Sequence, residues 1–521
     1  MSIINWFGAV RNYLAPQEVG TTRDQRLWNY GLWHAYHNGT VYLPTRDGGY
    51  RDVINQFLEG AKVNDFTPLY NPIPEVVGIY QHVFGGSFGN DIRIETQNEA
   101  LREAIEQIWV WSNINVQKQN LCRLAALYGN VGIRIVVENN PDLTKRKVWL
   151  SFEPPAHIAD VDLDPQGNVQ EVILEYDHTV GVGDDAECIR IREYQDREMF
   201  ATYQMKSGIE TPYDMVNETP GGAQSSYPNL LGFPSFVLLH HTPTTGKWGA
   251  TPFTHTLFAI DRINALLCHI DTQIHRHVRA TWLIAASGKA PVEIDLSGQK
   301  VAYVDTSLSA GTMPVMQPMI APLNIADARA FAEQLINWVE NQLPELRAVQ
   351  GKYLSGQSGD TIAQLRKPAE ERIALARTNY EDALKRALQI ALSWGITLEL
   401  WDIGSGVGID AATKAYKEGL EEFSFNTREL LPLTSQERNL VAQGLGDDVS
   451  WQERLRVRGY SDEQIALIQE EKTVNQTRQR DTFAGMLSQA ERDFNAGADT
   501  GLDAGVVTSR PQPNRDEGTD E

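Results

Sequence analysis

Two short motifs carry residue types that could do chemistry. Residues 85–89 read GGSFG, and this G-x-S-x-G spacing places the nucleophilic serine of many hydrolases, here Ser87, on a sharp turn between a strand and a helix. The residues that follow, DIRIE, alternate like a strand instead of starting a helix. We therefore favour a glycine turn, and a hydrolase with Ser87 as nucleophile stays the alternative.

The second motif, TPTTGKWG, contains Gly246 and Lys247, the pair that ends a phosphate-binding loop. The position that requires the loop's first glycine is His241, and Trp248 replaces the Ser or Thr that would hold magnesium. We infer no nucleotide site and expect no cofactor.

Three histidines close together, His269, His275 and His277, raise the possibility of a metal site. Positions 275 and 277 point to different faces of a helix, and no Cys or carboxylate completes a tetrahedral set at helical spacing. We interpret them as the polar end of a helix.

A loop rich in Gly and Ser, QGKYLSGQSGDT, could touch a ligand that passes by it. Lys352 and Tyr353 offer a cation and an aromatic ring to a phosphate or a sugar. Ordinary solvent-facing loop residues are an equally good interpretation.

Two helix-length segments precede this loop. The first arm, residues 251–279, has Thr251 as a possible cap, Pro252 in its first turn and apolar residues at the spacing of one helical stripe. It would be a helix of roughly 42 Å. The second arm, residues 324–343, has a similar stripe, which Pro344 ends; its members are Phe331, Leu335, Val339 and Leu343. Each arm has one apolar face, so each needs a partner on one side.

Between the arms, residues 280–323 contain the runs TWLIAASG, QKVAYVD and MPVMQPM, which are typical of short strands. They predict a small β-rich insert carried by the two arms. After the loop, residues 360–394 predict a long helix in which Pro368 should produce a kink.

The first 250 residues mix helix and strand patterns and predict an α+β body. NEALREAIEQIWVWSNINVQKQNLCRLAALYG has a helical pattern, and the strand candidates that follow are VGIRIVVE, VWLSFEPP, EVILEYDH, CIRIREYQ, EMFATYQM and FPSFVLLHH. DPQG at residues 164–167 predicts a turn. The three cysteines, Cys122, Cys188 and Cys268, are far apart and odd in number, so we expect buried free thiols.

Three capping boxes near the C-terminus predict a small helical domain; they pair Thr434 with Glu437, Ser450 with Glu453 and Ser461 with Gln464. From about Asn495 the sequence is polar and rich in Gly and Asp, which predicts disorder.

Length and charge restrict the function further. A chain of 521 residues exceeds what one hydrophobic core usually serves, so we expect several domains. A net charge of −22 disfavours a protein that grips nucleic acid, but an acidic wall suits nucleic acid that only passes by. Because no run of about eighteen apolar residues is present, we expect neither a membrane span nor a secretory signal.

The order of these segments resembles that of the portal proteins of tailed bacteriophages and of the prophages derived from them. The resemblance is carried by YGNVGIRIVV, by the two arms with their β-rich insert, by LSGQSGDTIAQLRKPAEE and by SFNTRELLPLTSQERNLVAQGL. It covers nearly the whole chain, in arrangement and loose motifs rather than in an invariant signature. The first 70 residues and residues 404–417 are the least similar.

This resemblance implies an α+β multidomain portal fold. Its parts would be an α+β wing (1–250), a first stem helix (251–279), a β-rich clip (280–323), a second stem helix (324–347), a tunnel loop (348–360), a kinked helix that returns to the wing (361–430), a helical crown (431–494) and a disordered acidic tail (495–521). The tunnel-loop residues implied to line the channel are Lys352, Tyr353, Ser355, Gln357 and Ser358.

The implied function is a homo-oligomeric ring, usually of twelve subunits, at one vertex of the capsid. Double-stranded DNA would be packaged and ejected through the ring without sequence specificity. Implied partners are the terminase large subunit, later a head-tail adaptor, and the major capsid and scaffold proteins. The protein would lie in the virion, and in the host cytoplasm during assembly, with no catalytic activity, metal or cofactor. A ring-forming minor capsid or scaffold protein without a DNA channel is the third possibility.

Overall fold

The structure is a computed structural model, and it describes most of the chain in two compact units, residues 1–432 and 433–521. The described residues are 22–43, 49–58, 68–85, 92–138, 142, 145–180, 187–215, 219–221, 225–278, 281–286, 301–305, 315–319, 325–350, 359–426, 450–458, 460 and 462–498. Helices and several separate sheets make the chain a multidomain α+β protein, as the sequence predicts.

The described helices are numbered in chain order. They are α1 Arg23–His37, α2 Tyr50–Phe57, α3 Ile73–Gly85, α4 Glu99–Trp111, α5 Ile114–Tyr128, α6 Leu257–Val278, α7 Ile325–Gln342, α8 Pro344–Gln350, α9 Gly359–Thr397, α10 Ile409–Glu418, α11 Trp451–Val457 and α12 Asp462–Ala498.

The described strands are also numbered in chain order. They are β1 Ile94–Glu95, β2 Asn130–Glu138, β3 Lys147–Glu153, β4 Ile158–Leu163, β5 Val169–Val180, β6 Glu187–Gln195, β7 Met199–Lys206, β8 Ile209–Asp214, β9 Thr219–Pro220, β10 Ser226–Pro228, β11 Phe236–His240, β12 Thr281–Ala286, β13 Val301–Asp305, β14 Val315–Met319 and β15 Ser424–Phe425.

A three-stranded antiparallel sheet in the order β11-β2-β3 lies at the centre of the first unit, and α9 packs against it. Helix α5 leads directly into this sheet through Gly129, whose φ of 75° is left-handed. A Cβ at Gly129 would lie 2.7 Å from the backbone oxygen of Gly249. Glycine is therefore required here both for its conformation and for the close approach of the two backbones.

The strand predictions for the body are confirmed. Three of them, β2, β3 and β11, form the three-stranded sheet, and the other three, β5, β6 and β7, belong to a second antiparallel sheet in the order β4-β5-β6-β7-β8-β9, with β10 paired to β7. The predicted turn joins β4 to β5: the Gly167 N–H donates to the Asp164 carbonyl oxygen at 2.9 Å. Asp164 Oδ1 also accepts from the backbone N–H groups of Gln166 and Asn168, which stabilises the turn.

The helical prediction in the body is confirmed, but the segment contains a break. The long helical pattern forms two helices, α4 and α5, because Asn113 between them adopts a left-handed φ of 49°. The cysteine prediction holds for Cys122 and Cys268, which are buried, but Cys188 is exposed. Cys188 lies near the start of β6, where the strand's first residues face solvent.

The first arm begins later than predicted. Thr251 does not cap an α-helix, because its hydroxyl bonds to that of Thr254 and residues 254–256 form one turn of 3₁₀-helix. The α-helix of this arm is α6, with 22 residues. Its length is about 33 Å at the standard rise.

The β-rich insert between the arms is confirmed as a three-stranded sheet in the order β13-β12-β14. The central strand β12 pairs in parallel with β13 and antiparallel with β14. All three sequence runs that predicted strands are therefore in one sheet.

Pro344 ends the helix of the second arm, as predicted, but it also starts the separate helix α8. A proline has no N–H to donate, so it suits the first turn of a helix. The long helix α9 is continuous from Gly359 to Thr397 and runs through Pro368 without interruption.

In the second unit, Ser450 caps α11 by accepting from the Glu453 N–H at 3.3 Å. Trp451 of α11 lies under the ammonium group of Lys472, 4.7 Å away on α12. Helix α12 continues to Ala498, a few residues into the stretch whose composition predicts disorder. Thr434, Glu437 and Ser461, from the other capping boxes, lie outside the described residues.

None of the described helices is both long and apolar enough to cross a membrane.

Glu421, which follows α10, is a buried carboxyl group that packs against α9. It is 2% exposed, and its Oε1 accepts a hydrogen bond from Ser393 Oγ at 2.9 Å. Burial raises its pKa to about 7, from an ordinary value of 4.5; the Ser393 hydrogen bond lowers the pKa and the neighbouring Glu422 raises it. The protonated form is thus the one that the fold favours.

We expect the stability of the protein to fall as pH rises through this range. Between pH 4.5 and about 7, Glu421 is ionised in the unfolded chain but protonated in the folded chain. The free energy of unfolding therefore falls by about 3 kcal/mol over this range. Glu421→Gln should therefore raise the free energy of unfolding at pH 8 and leave it little changed at pH 4.5. Urea denaturation at both pH values measures this, with Glu418→Gln, an exposed glutamate at the end of α10, as control. Equal effects at the two pH values would contradict the assignment.

Candidate functional site

The residues predicted for the tunnel loop lie outside the described residues, and so does Ser87; the loop residues are Lys352, Tyr353, Ser355, Gln357 and Ser358. The helices on either side of the loop are described, since α8 ends at Gln350 and α9 begins at Gly359. The candidate site is therefore the structure that holds these helices and the two arms.

A set of polar residues, all buried except the partly exposed Arg372, lies where the arms leave the body. We call it the arm-base junction, and it comprises Tyr36, Tyr42, Tyr80, His241, Asp261, Asn264, Glu345, Arg372 and Tyr380.

Asp261 anchors the first arm in the body. It is fully buried on α6, and Tyr36 on α1 donates its hydroxyl hydrogen to the carboxylate, at 2.6 Å from Oδ1 and 2.7 Å from Oδ2. Tyr42 donates to Oδ1 at 2.7 Å. A buried carboxylate is tolerated only where donors replace water, so these tyrosines fix the position of α6.

Asn264, one turn further along α6, adds a second anchor. Its Oδ1 accepts from the Tyr70 N–H at 3.0 Å, and its Nδ2 donates to the Tyr70 carbonyl at 2.9 Å. Because both peptide groups of Tyr70 are satisfied by one side chain, the segment before α3 is held against the first arm.

Arg372 of α9 binds the backbone at the base of both arms. Its Nη1 donates to the carbonyl oxygen of Gln342 at 2.7 Å, and its Nη2 donates to that of Pro252 at 3.0 Å. Gln342 is the last residue of α7, where helical carbonyls lack partners within the helix and a positive charge is favourable. One guanidinium group thus ties both arms to the long helix.

Glu345 joins α8 to the same group. It is fully buried; its Oε1 accepts from the Tyr80 hydroxyl at 2.9 Å, and its Oε2 lies 3.3 Å from Arg372 Nη1. Burial raises the pKa of Glu345, while the positive charge of Arg372 lowers it. The pKa of Tyr80 is also raised by burial, so this hydroxyl remains a donor.

His241 and Tyr380 complete the junction without adding charge. His241 Nδ1 lies 2.5 Å from the Tyr380 hydroxyl, and its ring packs edge-on against Tyr80 with centroids 4.5 Å apart. Burial, and secondly the charge of Arg372, lower the pKa of His241 to about 3. The imidazole is therefore neutral at physiological pH, and the positive charge of the arm-base junction comes from Arg372.

The arms also carry exposed apolar side chains. Of the predicted stripes, Val339 and Leu343 are buried but Phe331 is 44% exposed. Trp338, which the stripe omitted, is 46% exposed and lies seven residues after Phe331, on the same face of α7. Ile274 of α6 is also exposed.

Among the described residues, the weaker motifs of the sequence do not form sites. Helix α3 ends at Gly85, two residues before Ser87, whereas a hydrolase elbow needs a strand on that side of the serine. Lys247 lies 3.6 Å from Asp160, as an exposed ion pair. His275 lies 3.6 Å from Asp271 one turn earlier, so the prediction that no carboxylate lies at helical spacing is wrong; the described residues nevertheless contain no group of three or more His, Cys, Asp or Glu that could hold a metal ion.

No protein-family model matches this chain. Comparison with curated proteins gives no match either.

We expect Asp261→Asn to destabilise the protein by about 2 kcal/mol, because the tyrosine hydroxyls lose a charged acceptor. Urea denaturation of the full chain measures this, with Asp271→Asn, an exposed position of the same helix, as control. Tyr42→Phe should cost less in the Asp261→Asn background than alone, since its partner has already changed. Additive effects would contradict the proposed anchor.

Proposed function

We propose that this protein is a portal subunit of a tailed bacteriophage or of a related prophage. In this proposal its copies form a ring, of about twelve subunits as the resemblance implies, at one capsid vertex. Double-stranded DNA enters and leaves through the ring without sequence-specific contacts. The α6 and α7 helices are the stem, the β12–β14 sheet belongs to the clip, and residues 348–360 are the tunnel loop.

The observation that carries the proposal is the way the arms are mounted. Helices α6 and α7 pack together, lie on either side of a small sheet in the sequence, and are both bound at the base by Arg372 of α9. A pair of helices fixed to a body at one end and to a separate sheet at the other suits a wall element of a channel.

The exposed apolar side chains of the arms support assembly. Phe331, Trp338 and Ile274 lie on helices whose other faces pack within the chain. In the proposed ring, neighbouring subunits would cover these side chains.

The partners and the location follow from the same proposal. The terminase large subunit would dock on the clip during packaging, and a head-tail adaptor would replace it afterwards. The major capsid and scaffold proteins would contact the ring at the vertex. The protein would be part of the virion after assembly in the host cytoplasm, with no catalytic activity and no cofactor.

We expect electron microscopy of the purified protein to show rings with a central hole wide enough for duplex DNA. A monodisperse monomer at all concentrations would overturn the proposal, and rings without a hole would favour a minor capsid or scaffold protein.

Trp338→Glu should shift the rings toward smaller species without unfolding the subunit, because a charge would be placed in the subunit interface. Light scattering and circular dichroism measure assembly and folding separately. Gln334→Glu, at an exposed position one turn earlier on α7, is the matched control. Intact rings in Trp338→Glu would remove this face of α7 from the interface.

Lys352→Glu should leave the ring intact and reduce the amount of DNA packaged, because a negative charge would replace a cation beside the phosphates. A packaging assay with purified terminase measures this, with the exposed Lys367→Glu on α9 as control. Unchanged packaging would remove Lys352 from the tunnel-loop assignment.

A further inference from the structure

The arm-base junction contains a buried acceptor that is not satisfied. Glu345 Oε2 is buried and accepts no hydrogen bond from the described residues, although Arg372 Nη1 lies only 3.3 Å away. The hydrogen bonds of this guanidinium go to the carbonyl oxygens of Gln342 and Pro252 instead. A buried carboxylate oxygen without a hydrogen bond is costly, and the ion pair with Arg372 offsets only part of that cost.

A second arrangement is within reach of the same side chains. An arginine can pair with both oxygens of a carboxylate through two parallel hydrogen bonds. If Arg372 turned fully to Glu345, it would satisfy Oε2 but release the Gln342 and Pro252 carbonyls. The two arrangements therefore exchange one set of unsatisfied acceptors for another.

The positions of Glu345 and Arg372 mean that a change between the two arrangements would affect several helices. Glu345 is on α8 and Arg372 is on α9, and these two helices pack together at the two ends of residues 351–358. The carbonyls that compete with Glu345 belong to the bases of the two arms. The hydrogen bonds of one guanidinium therefore depend on the position of the arms and on the packing of α8 against α9.

We propose that Arg372 and Glu345 form a two-position coupling element between the arms and the helices that flank residues 351–358. In the first position, which the structure shows, Arg372 holds the bases of both arms. In the second position it pairs with both oxygens of Glu345, and the arm bases are released. Its biological role, to transmit movement of the arms to the tunnel loop, rests on the proposed function, but the element itself does not.

Hydrogen exchange of the assembled full-length protein, followed by mass spectrometry, tests this coupling. Arg372→Lys keeps the charge but cannot hold both carbonyls in one fork, so exchange should become about tenfold faster at the bases of both arms and in α8 together. Lys367→Gln, an exposed position of α9, should change none of these rates. Acceleration confined to α9, or to one arm, would overturn the proposal.

Two further variants separate coupling from simple loss of packing. Glu345→Gln removes the charged competitor, so the arm bases should exchange several-fold more slowly than in the wild type. Tyr80→Phe removes the donor that holds Oε1 and frees Glu345 for Arg372, so the same segments should exchange faster. If Glu345→Gln accelerates exchange as Arg372→Lys does, the pair is only structural. Electron microscopy of the same samples tests ring formation separately. Intact rings without coupled exchange would contradict the coupling element and leave the proposed function in place.

Discussion

Three separate parts of the chain contact the guanidinium group of Arg372. It donates to the carbonyls of Pro252 and Gln342, which lie at the base of the two arms, and it lies beside the buried carboxylate of Glu345. Backbone carbonyls and a carboxylate can be buried only where a donor reaches them. Arg372 therefore links the bases of both arms to α8 and α9, in addition to the anchors that Asp261 and Asn264 provide for α6.

The rest of the arm-base junction follows from the same requirement. Buried Asp261 is held by neutral donors, Tyr36 and Tyr42, whereas buried Glu345 accepts from the neutral Tyr80 and lies beside the charge of Arg372. His241 remains neutral because burial and the charge of Arg372 both oppose its protonation. A junction of this kind is specific in geometry, since each donor must reach its acceptor, and this suits helices that must leave the body in a fixed direction.

Much of the fold could be predicted from local patterns. Alternation located the strands of the body and of the insert, and Pro344 located the end of the second arm. The failures are equally local in cause: Thr251 bonds to Thr254 instead of capping a helix, and Asn113 divides a continuous helical pattern by adopting a left-handed conformation. Neither the Thr251–Thr254 hydrogen bond nor the left-handed Asn113 changes the spacing of apolar residues, so that spacing could not predict them. Of the candidate site, only the arms and the loop between α8 and α9 were predicted, and the loop residues stay predictions.

The sequence by itself determined the class of fold, the order of arm, insert, arm and long helix, and the one-sided apolar faces of the arms, because these depend on residue types at fixed spacing. Only the tertiary structure decided which polar residues hold the arms to the body. Asp261, Glu345 and Arg372 look like solvent-facing charges when read along a helix, and they are separated by many residues in the chain. Their role arises from contacts between distant segments, and no local pattern encodes which buried acceptor a given donor will reach.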